Sequence, residues 1–546
     1  MSKIAETDHG TAPSDATVAA HPPSLRHRLR ALLLSEPFWS WVGPGLVTLF
    51  GAFLRFYRLG VPNATDFPVS GGRIFDENYY TCDAHDLLRF GVEHHHTVGT
   101  CVLGSGPGYG GHPPLAKWFI AAGEFFVGNN PFGWRFASAV VGSLAILILA
   151  RTARRLTGST LLGCFAGLLL ALDGLEFVQS RIAMLDIFVM FWVVAAFACL
   201  VADRYRREPR DAREAEVKES SHRSRLPGPL RGVRWWRLGA GICLGAAAAS
   251  KWNGVFYMVA FALLVVGWDA LARRASGARD WLRTTIRRDA PGNVVAFGIV
   301  PLTVYTLSWL GWFMGNSQIS ANYPTFHPGE GFLQRVSAVI HGWINYQTGS
   351  YQYFGTFTAS NPHVLHTGPG AGWWQWLVLY RPVVYYPTPH SFLTNGYAFR
   401  CPQSSRGCMK EVLAIGTPAI WWLALPAIAF MLWLWASRRD WRAGAVVIGW
   451  AAGILPWIPQ DIHHRVLYQY YALPAVPFMV LALTLSAGFI LEKSRGSPRG
   501  RFLSRAGLGT YTVLVAVNFF YLYPILAAEL IPYSSWQARL WFGSWL

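Results

Sequence analysis

The chain has 546 residues, of which 52% are hydrophobic and only 14% charged, and its mean hydropathy is positive. That balance excludes an ordinary soluble domain and fits a chain whose solvent is largely lipid. The net charge of +18 calls for no nucleic-acid partner, because the Lys/Arg excess lies in short loops between apolar runs, as the positive-inside rule requires.

Residues 1–36 read as a flexible cytoplasmic tail containing Arg26, Arg28 and Arg30; no small-residue cleavage site follows the first apolar run. A helix needs about 20 apolar residues to cross the hydrocarbon, and about eleven stretches qualify. They lie near 38–56, 132–155, 159–179, 183–203, 235–250, 252–271, 293–314, 411–437, 442–459, 466–492 and 507–530. The apolar stretch 115–127 is too short, so a surface helix is expected there, with a twelfth crossing as the competing reading. With the N-terminus inside, the basic loops 151–155, 204–234, 273–288, 438–442 and 493–505 all fall on the cytoplasmic side. Loop 204–234, rich in Arg, Glu, Ser and Pro, is expected to be flexible. The organisation that follows is a first transmembrane module 37–314 with outer loop 57–131, a large outer loop 315–410, and C-terminal helices 411–546 ending outside. An all-α polytopic fold in the cell membrane is expected, with surface helices in both long outer loops.

Cys164, Cys199 and Cys243 lie in crossings and read as buried apolar residues. Cys82, Cys101, Cys401 and Cys408 all lie in the two outer loops, an even number on the oxidising side, which points to disulfides. Sequence-local pairing, Cys82 with Cys101 and Cys401 with Cys408, is the simplest of the possible connectivities. A metal site is the alternative, with His94, His95 and His96 nearby, but the spacings are not CxxC, and no metal or cofactor is expected.

Four constellations could carry chemistry. In Phe75-Asp76-Glu77-Asn78-Tyr79-Tyr80 two carboxylates are adjacent and so do not face the same way. They suit one active carboxylate and one supporter, or merely a solvated acidic turn. Gly110-Gly111-His112-Pro113-Pro114-Leu115-Ala116-Lys117 places His112 and Lys117 around a helix start, and on its own reads as a loop-to-helix junction. In the turn from Gln179 to Asp186, Arg181 and Asp186 are either a structural pair or functional, as ionisable groups in crossings often are. The same logic flags Arg135 and Lys251. The stretch Pro459 to Arg465, followed by Tyr468, Tyr470 and Tyr471, is the fourth, and an aromatic belt beside a charged turn is its bland reading. All four land on the outer face together with both long loops. Cations there suit an anionic phosphate, and carboxylates suit activation of a hydroxyl.

These residues, in order along the chain, resemble the protein O-mannosyltransferases, within the GT-C group of polyprenyl-phosphate-sugar glycosyltransferases. The similarity rests on Phe75 to Tyr80, His112-Pro113-Pro114-Leu115-Ala116-Lys117, Trp134-Arg135-Phe136, Arg181 through Asp186, and Lys251-Trp252-Asn253-Gly254-Val255. It continues through Ser308 to Phe313, Arg381-Pro382-Val383 and Trp541 to Leu546. The loop 315–410 is too short for the β-trefoil domain of eukaryotic members, so the bacterial form is the one resembled. The stretch 345–376 departs from the family pattern, with Trp373-Trp374-Gln375-Trp376 in place of a Trp-Pro pair.

The resemblance implies inverting transfer of mannose from polyprenyl-phosphate mannose to Ser or Thr of exported proteins, on the outer face of the membrane and with an export channel as a possible partner. Asp76 is then the expected base and Glu77 its supporter. Arg135, Arg181, Asp186, Lys251, Arg465 and Tyr468 are expected around the donor, and His112 and Lys117 on the acceptor side or as structural members of the site. Two other readings remain: a GT-C enzyme acting on a lipid or glycan, and a lipid-linked-sugar transporter, for which ionisable residues in crossings would also be required.

Overall fold

In the structure, a computed structural model, the described residues are 36–66, 70–97, 101–107, 111–220, 234–275, 280–318, 320–356, 372–387 and 407–545. Apart from Glu36, the N-terminal tail lies outside them, as do Cys401 and Leu546.

Among these residues eight helices are long and apolar enough to cross a membrane: Pro131–Thr157, Asp186–Arg206, Gly254–Ala275, Trp281–Ser308, Pro418–Arg438, Trp441–Ile462, Gln469–Gly496 and Pro498–Leu526. Three shorter or less apolar helices, Glu36–Phe56, Thr160–Ala171 and Trp235–Ser250, stand where further crossings were expected.

Several expected boundaries shift for local reasons. The stretch 159–179 is two helices, because the Asp173 carboxylate accepts from Glu176 N at 3.0 Å and starts Gly174–Gln179 anew. The stretch expected from 293 begins at Trp281 and contains a π-helical segment, Val295–Ile299, just after Pro291, whose missing N–H disturbs the helical ladder. Residues 411–414 pair as a strand, and the next helix starts at Pro418. The 466–492 stretch opens as a 3₁₀ turn, Gln469–Ala475, around Pro474. The backbone of loop 204–234 is helical as far as Ser220, contrary to a wholly flexible loop. Leu115–Val127 is a separate 13-residue helix, too short to span.

Two packing devices set the bundle. Helix Pro131–Thr157 is capped at both ends: the Asn130 side chain accepts from Phe132 N and Gly133 N, and Gly158 closes it at φ 70°. Helices Trp235–Ser250 and Trp281–Ser308 meet at Gly241 and Gly245, where a Cβ would lie 2.0 Å from Ala296 O and 2.7 Å from Pro301 Cα. Small residues four apart let two backbones touch where lipid offers no hydrophobic drive. Toward the other ends of these helices Arg234 and Arg237 meet Asp203 and Asp269, and Arg237 also donates to Asn293.

The two long loops form one layer over the opposite end of the bundle. Among the described residues three two-stranded antiparallel ladders, not foreseen for an all-α chain, knit it: His94–Thr97 with Val102–Pro107, Val383–Pro387 with Glu411–Ala414, and Cys408–Met409 with Ile531–Pro532. Lys410 pairs with Asp66, joining the loops, and Trp545 Nε1 donates to Leu379 O at 2.7 Å, fastening the C-terminal segment to the same layer. Cys82 and Cys101 are disulfide-bonded, with Cα atoms 5.1 Å apart; Cys408 is also a disulfide cysteine.

The glycine seam makes a clear prediction. Gly241→Ala places a methyl against a backbone carbonyl that cannot move aside, and should destabilise by about 1–3 kcal/mol. Gly267→Ala, with no atom within 4 Å of the new Cβ, should not. Thermal unfolding of the two detergent-solubilised variants compares them directly.

Candidate functional site

The site is built around the start of helix Glu77–Phe90. Phe75 sits at φ 49°, a left-handed conformation uncommon for a bulky residue. Its ring lies between Tyr385 (centroids 4.6 Å apart) and Tyr470 (5.9 Å), with Tyr468 at 6.4 Å. The turn separates the two following carboxylates.

Glu77 points into the protein and is fully buried. Its Oε1 accepts from Arg135 Nε at 2.7 Å and Ala183 N at 2.9 Å; its Oε2 accepts from Arg135 Nη2 at 2.7 Å and Ile74 N at 3.0 Å. Arg135 is equally buried, and its remaining N–H groups go to carbonyls: Nη1 to Leu59 O at 3.3 Å and Pro62 O at 2.9 Å, Nη2 to Gly72 O at 2.9 Å. A guanidinium has five N–H donors, and all five are engaged. This corrects the expectation that Arg135 holds phosphate: it has no donor left for one, and instead organises the loop.

Asp76 points the other way. Although it stands at the helix N-cap it accepts no backbone N–H there; its described partner is Tyr80 Oη at 3.4 Å. Burial pushes its carboxyl up to about 6, against the opposing pull of Lys251; Asp186 adds to the rise and the Tyr80 hydrogen bond opposes it. The result is a carboxylate poised near neutrality, the property a general base needs.

Opposite it, Lys251 Nζ donates to Asp186 Oδ1 at 3.1 Å and Oδ2 at 2.9 Å, and stands 4.9 Å from the ring centre of Tyr471 and 5.4 Å from that of Tyr470. Lys251 lies in the turn after helix Trp235–Ser250 and Asp186 starts the long helix that precedes it, so the pair joins two turns of the bundle. Arg181 is not Asp186's partner. It donates to Leu54 O, Tyr57 O and Arg58 O at 2.7–3.1 Å, closing the end of the first helix. That corrects its expected place at the donor.

His112 stacks on Phe354 at 4.4 Å and faces Tyr80 at 6.1 Å. Burial and the nearby cations Lys251, Lys117 and Arg465 push its imidazole well below the usual histidine range, so it is neutral, and its Nδ1 has no partner among the described residues. Lys117 is buried between Asp83 and Glu93, each at 2.8 Å, and is structural. Arg465 differs from the other cations. Among the described residues the one hydrogen bond of its side chain is a long 3.4 Å contact from Nη1 to Gln460 Oε1, and its buried Nε has none. Tyr468 lies nearly parallel to Tyr470 at 5.4 Å. His94 and His96 turn to Asp86 rather than to the cysteines; His96 Nε2 is 2.7 Å from Asp86 Oδ2.

The structure therefore brings Asp76, His112, Asp186, Lys251, Arg465 and Tyr468 around one aromatic-lined cleft and places Glu77, Arg135, Arg181 and Lys117 in its supports. Tyr385, held by Gln179 Nε2 at 2.6 Å, and Phe354 were not anticipated. Tyr385 follows the Arg381-Pro382-Val383 motif by two residues, which was the available signal; Phe354 lies in the divergent stretch and carried none.

Residues 45–310 match the family model described as dolichyl-phosphate-mannose-protein mannosyltransferase, and 341–545 match the C-terminal four-transmembrane region of protein O-mannosyltransferases. The chain is 36% identical over 516 residues to a polyprenol-phosphate-mannose–protein mannosyltransferase of Mycolicibacterium smegmatis, covering 92% of this chain and 93% of that one. It is 36% identical over 512 residues to the Mycobacterium tuberculosis protein of the same description, covering 92% of each. In fold it is similar to the Saccharomyces cerevisiae Pmt1–Pmt2 protein O-mannosyltransferase bound to its sugar donor, with TM-score 0.67 at 14% identity over 95% of this chain and 94% of that one.

The buried ion pair is separable from the cleft by experiment. Arg135→Met leaves the Glu77 carboxylate buried without a cation, which should lower stability by about 3–5 kcal/mol. Arg465→Ala, at a half-buried residue with one weak bond, should leave the unfolding midpoint near wild type. Thermal unfolding of the two variants, each beside wild type, checks both.

Proposed function

This chain belongs to the protein O-mannosyltransferase family, and from that premise we infer that it transfers mannose from polyprenyl-phosphate mannose to Ser or Thr hydroxyls of protein acceptors. The observation carrying the mechanism is the division of labour between adjacent carboxylates: Glu77 spends both oxygens on the fold, whereas Asp76 is held near neutrality in the cleft.

In the proposed reaction Asp76 accepts the proton of the acceptor hydroxyl as its oxygen attacks the anomeric carbon. The bond from that carbon to the phosphate oxygen breaks, and polyprenyl phosphate departs with the electron pair. Phosphate is a good leaving group and needs no general acid. Attack from the face opposite the phosphate inverts the anomeric centre. Arg465, with hydrogen-bonding capacity in hand, and Lys251 are the cations placed to meet the phosphate. Neutral His112 can accept from or donate to the acceptor at Nδ1. Tyr468 and Tyr471, half-buried beside the buried Tyr385 and Tyr470, supply the aromatic surface on which a sugar ring can rest.

The distribution of basic loops supports a cytoplasmic N-terminus, with the cleft, both long loops and the C-terminal segment on the outer face. There the acceptors are exported chains, and an adjacent export channel is a natural supplier. Modification by a thiol reagent that cannot cross the membrane should reach a cysteine introduced at Arg465 in intact cells and not one at Arg287. The reverse pattern inverts the topology.

Transfer to a Ser/Thr-rich peptide from radiolabelled polyprenyl-phosphate mannose tests the activity. Asp76→Asn keeps the shape and removes the proton acceptor, so turnover should fall at least about 10²-fold with donor binding retained. Arg465→Ala should instead weaken donor binding. Because the base must be ionised and its carboxyl is raised to about 6, the wild-type rate should be level above that pH and fall about tenfold per unit below it. Near wild-type turnover by Asp76→Asn would remove this mechanism.

A further inference from the structure

Helix Phe332–Gly355 lies in the second long loop, and its 24 residues divide into three sectors at 3.6 residues per turn. The first is packed: Val339, Trp343 and Tyr346 sit on Tyr305, Trp309, Trp312 and Phe313 at the end of the spanning helix Trp281–Ser308 and the turn after it. The second is exposed and polar: Ser337, His341, Asn345, Thr348 and Gln352. The third lies between them and is exposed and apolar. Leu333 is 79% exposed, Ile340 and Ile344 49% each, and Tyr351 73%, with Val336 on the same strip.

A helix in water would place polar residues on both unpacked sectors. An apolar strip running the length of the helix beside a polar one is the pattern of a helix lying in a membrane interface. The spanning helix and turn that carry it are exposed and apolar as well, at Leu302, Leu307, Leu310 and Met314. At its far end the helix enters the cleft. Phe354 stacks on His112 at 4.4 Å with rings 16° apart, and approaches Trp252 at 6.2 Å. Tyr353, beside it, is near enough for the Asp76 carboxylate to act on its phenol.

We propose that the helix Phe332–Gly355 is seated in the lipid of the adjacent leaflet through Leu333, Val336, Ile340, Ile344 and Tyr351, and that this seating holds Phe354 against His112 as one wall of the acceptor side of the cleft. Phe354 and Tyr353 are then positioning residues whose placement depends on the bilayer. The second half of the proposal rests on the function inferred above; the first does not.

The test has two arms, both on the full chain in liposomes. A bimane label on a cysteine introduced at Ile340 should lose fluorescence when the lipids carry brominated acyl chains, and a label at Asn345 should not, after subtraction of the signal of the parent protein. Equal quenching at both, or at neither, overturns the lipid seat whether or not transfer is detected. In the second arm, Ile340→Asn/Ile344→Asn should lower kcat for the peptide by about 10–10²-fold through a shifted wall, with donor affinity unchanged. Phe354→Ala should reproduce that split, and Phe354→Tyr should restore the rate. Quenching as expected with unchanged kcat in the double variant overturns the coupling to the site. No transfer even by the wild type overturns the coupling as well, together with the inferred function, and leaves the quenching result to decide the seat.

Discussion

Arg135 and Glu77 are removed from water together, and the rest of the site depends on how completely they satisfy each other. Taking either ion into a low-dielectric interior costs several kcal/mol, which only close, saturating geometry offsets. Here the carboxylate accepts four hydrogen bonds and the guanidinium donates five. The partners come from residues 59, 62, 72 and 74 of the first loop, from the helix beginning at Pro131, and from Ala183 in the turn before Asp186. One ion pair thus registers the loop against two parts of the bundle. Asp76 inherits its position from that registration. The helix it precedes cannot rotate without pulling Glu77 from Arg135.

Around this fixed point the other charges sort by what surrounds them. Lys117 between two carboxylates and Arg181 among three carbonyls are spent on structure. Lys251 is shared, since its ammonium serves Asp186 yet lies over tyrosine rings at the cleft. Arg465 is the least committed of the four. A graded series from saturated to available cations is what a site for a charged, departing group requires, because fully satisfied donors have nothing to offer as phosphate charge develops.

Much of this was legible in the chain. Apolar run lengths and basic loops read as a helical membrane bundle, and adjacent carboxylates read as one worker and one supporter, because neighbours on a helix cannot share a face. Apart from Tyr385 and Phe354, the residues brought to the cleft were among those named by short motifs near predicted helix ends. What could not be read was commitment. Arg135, Arg181 and Arg465 look alike along the sequence, each a cation near an apolar run. Only tertiary contacts show that the Glu77 carboxylate and backbone carbonyls occupy Arg135, and that carbonyls hold Arg181. Helix interruptions were missed where a single side chain decides them, as Asp173 does by accepting from Glu176 N. The short ladders at 383–387 and 408–414 were hidden because their residues pair across the loop layer, not with their neighbours.

Phe75 carries a consequence of a different kind. At φ 49° a phenylalanine holds a backbone shape that glycine or asparagine adopts with far less strain, at a penalty of about 1–3 kcal/mol. The ring, wedged among Tyr385, Tyr468 and Tyr470, is what holds the chain there. The packing of that ring outweighs the strain it holds, so removing the ring would release the turn and let the following carboxylate drift. A glycine or asparagine at position 75 would relieve the backbone and yet loosen both the fold and the base, so the strain at this residue serves the placement of a reactive group rather than the sturdiness of the chain.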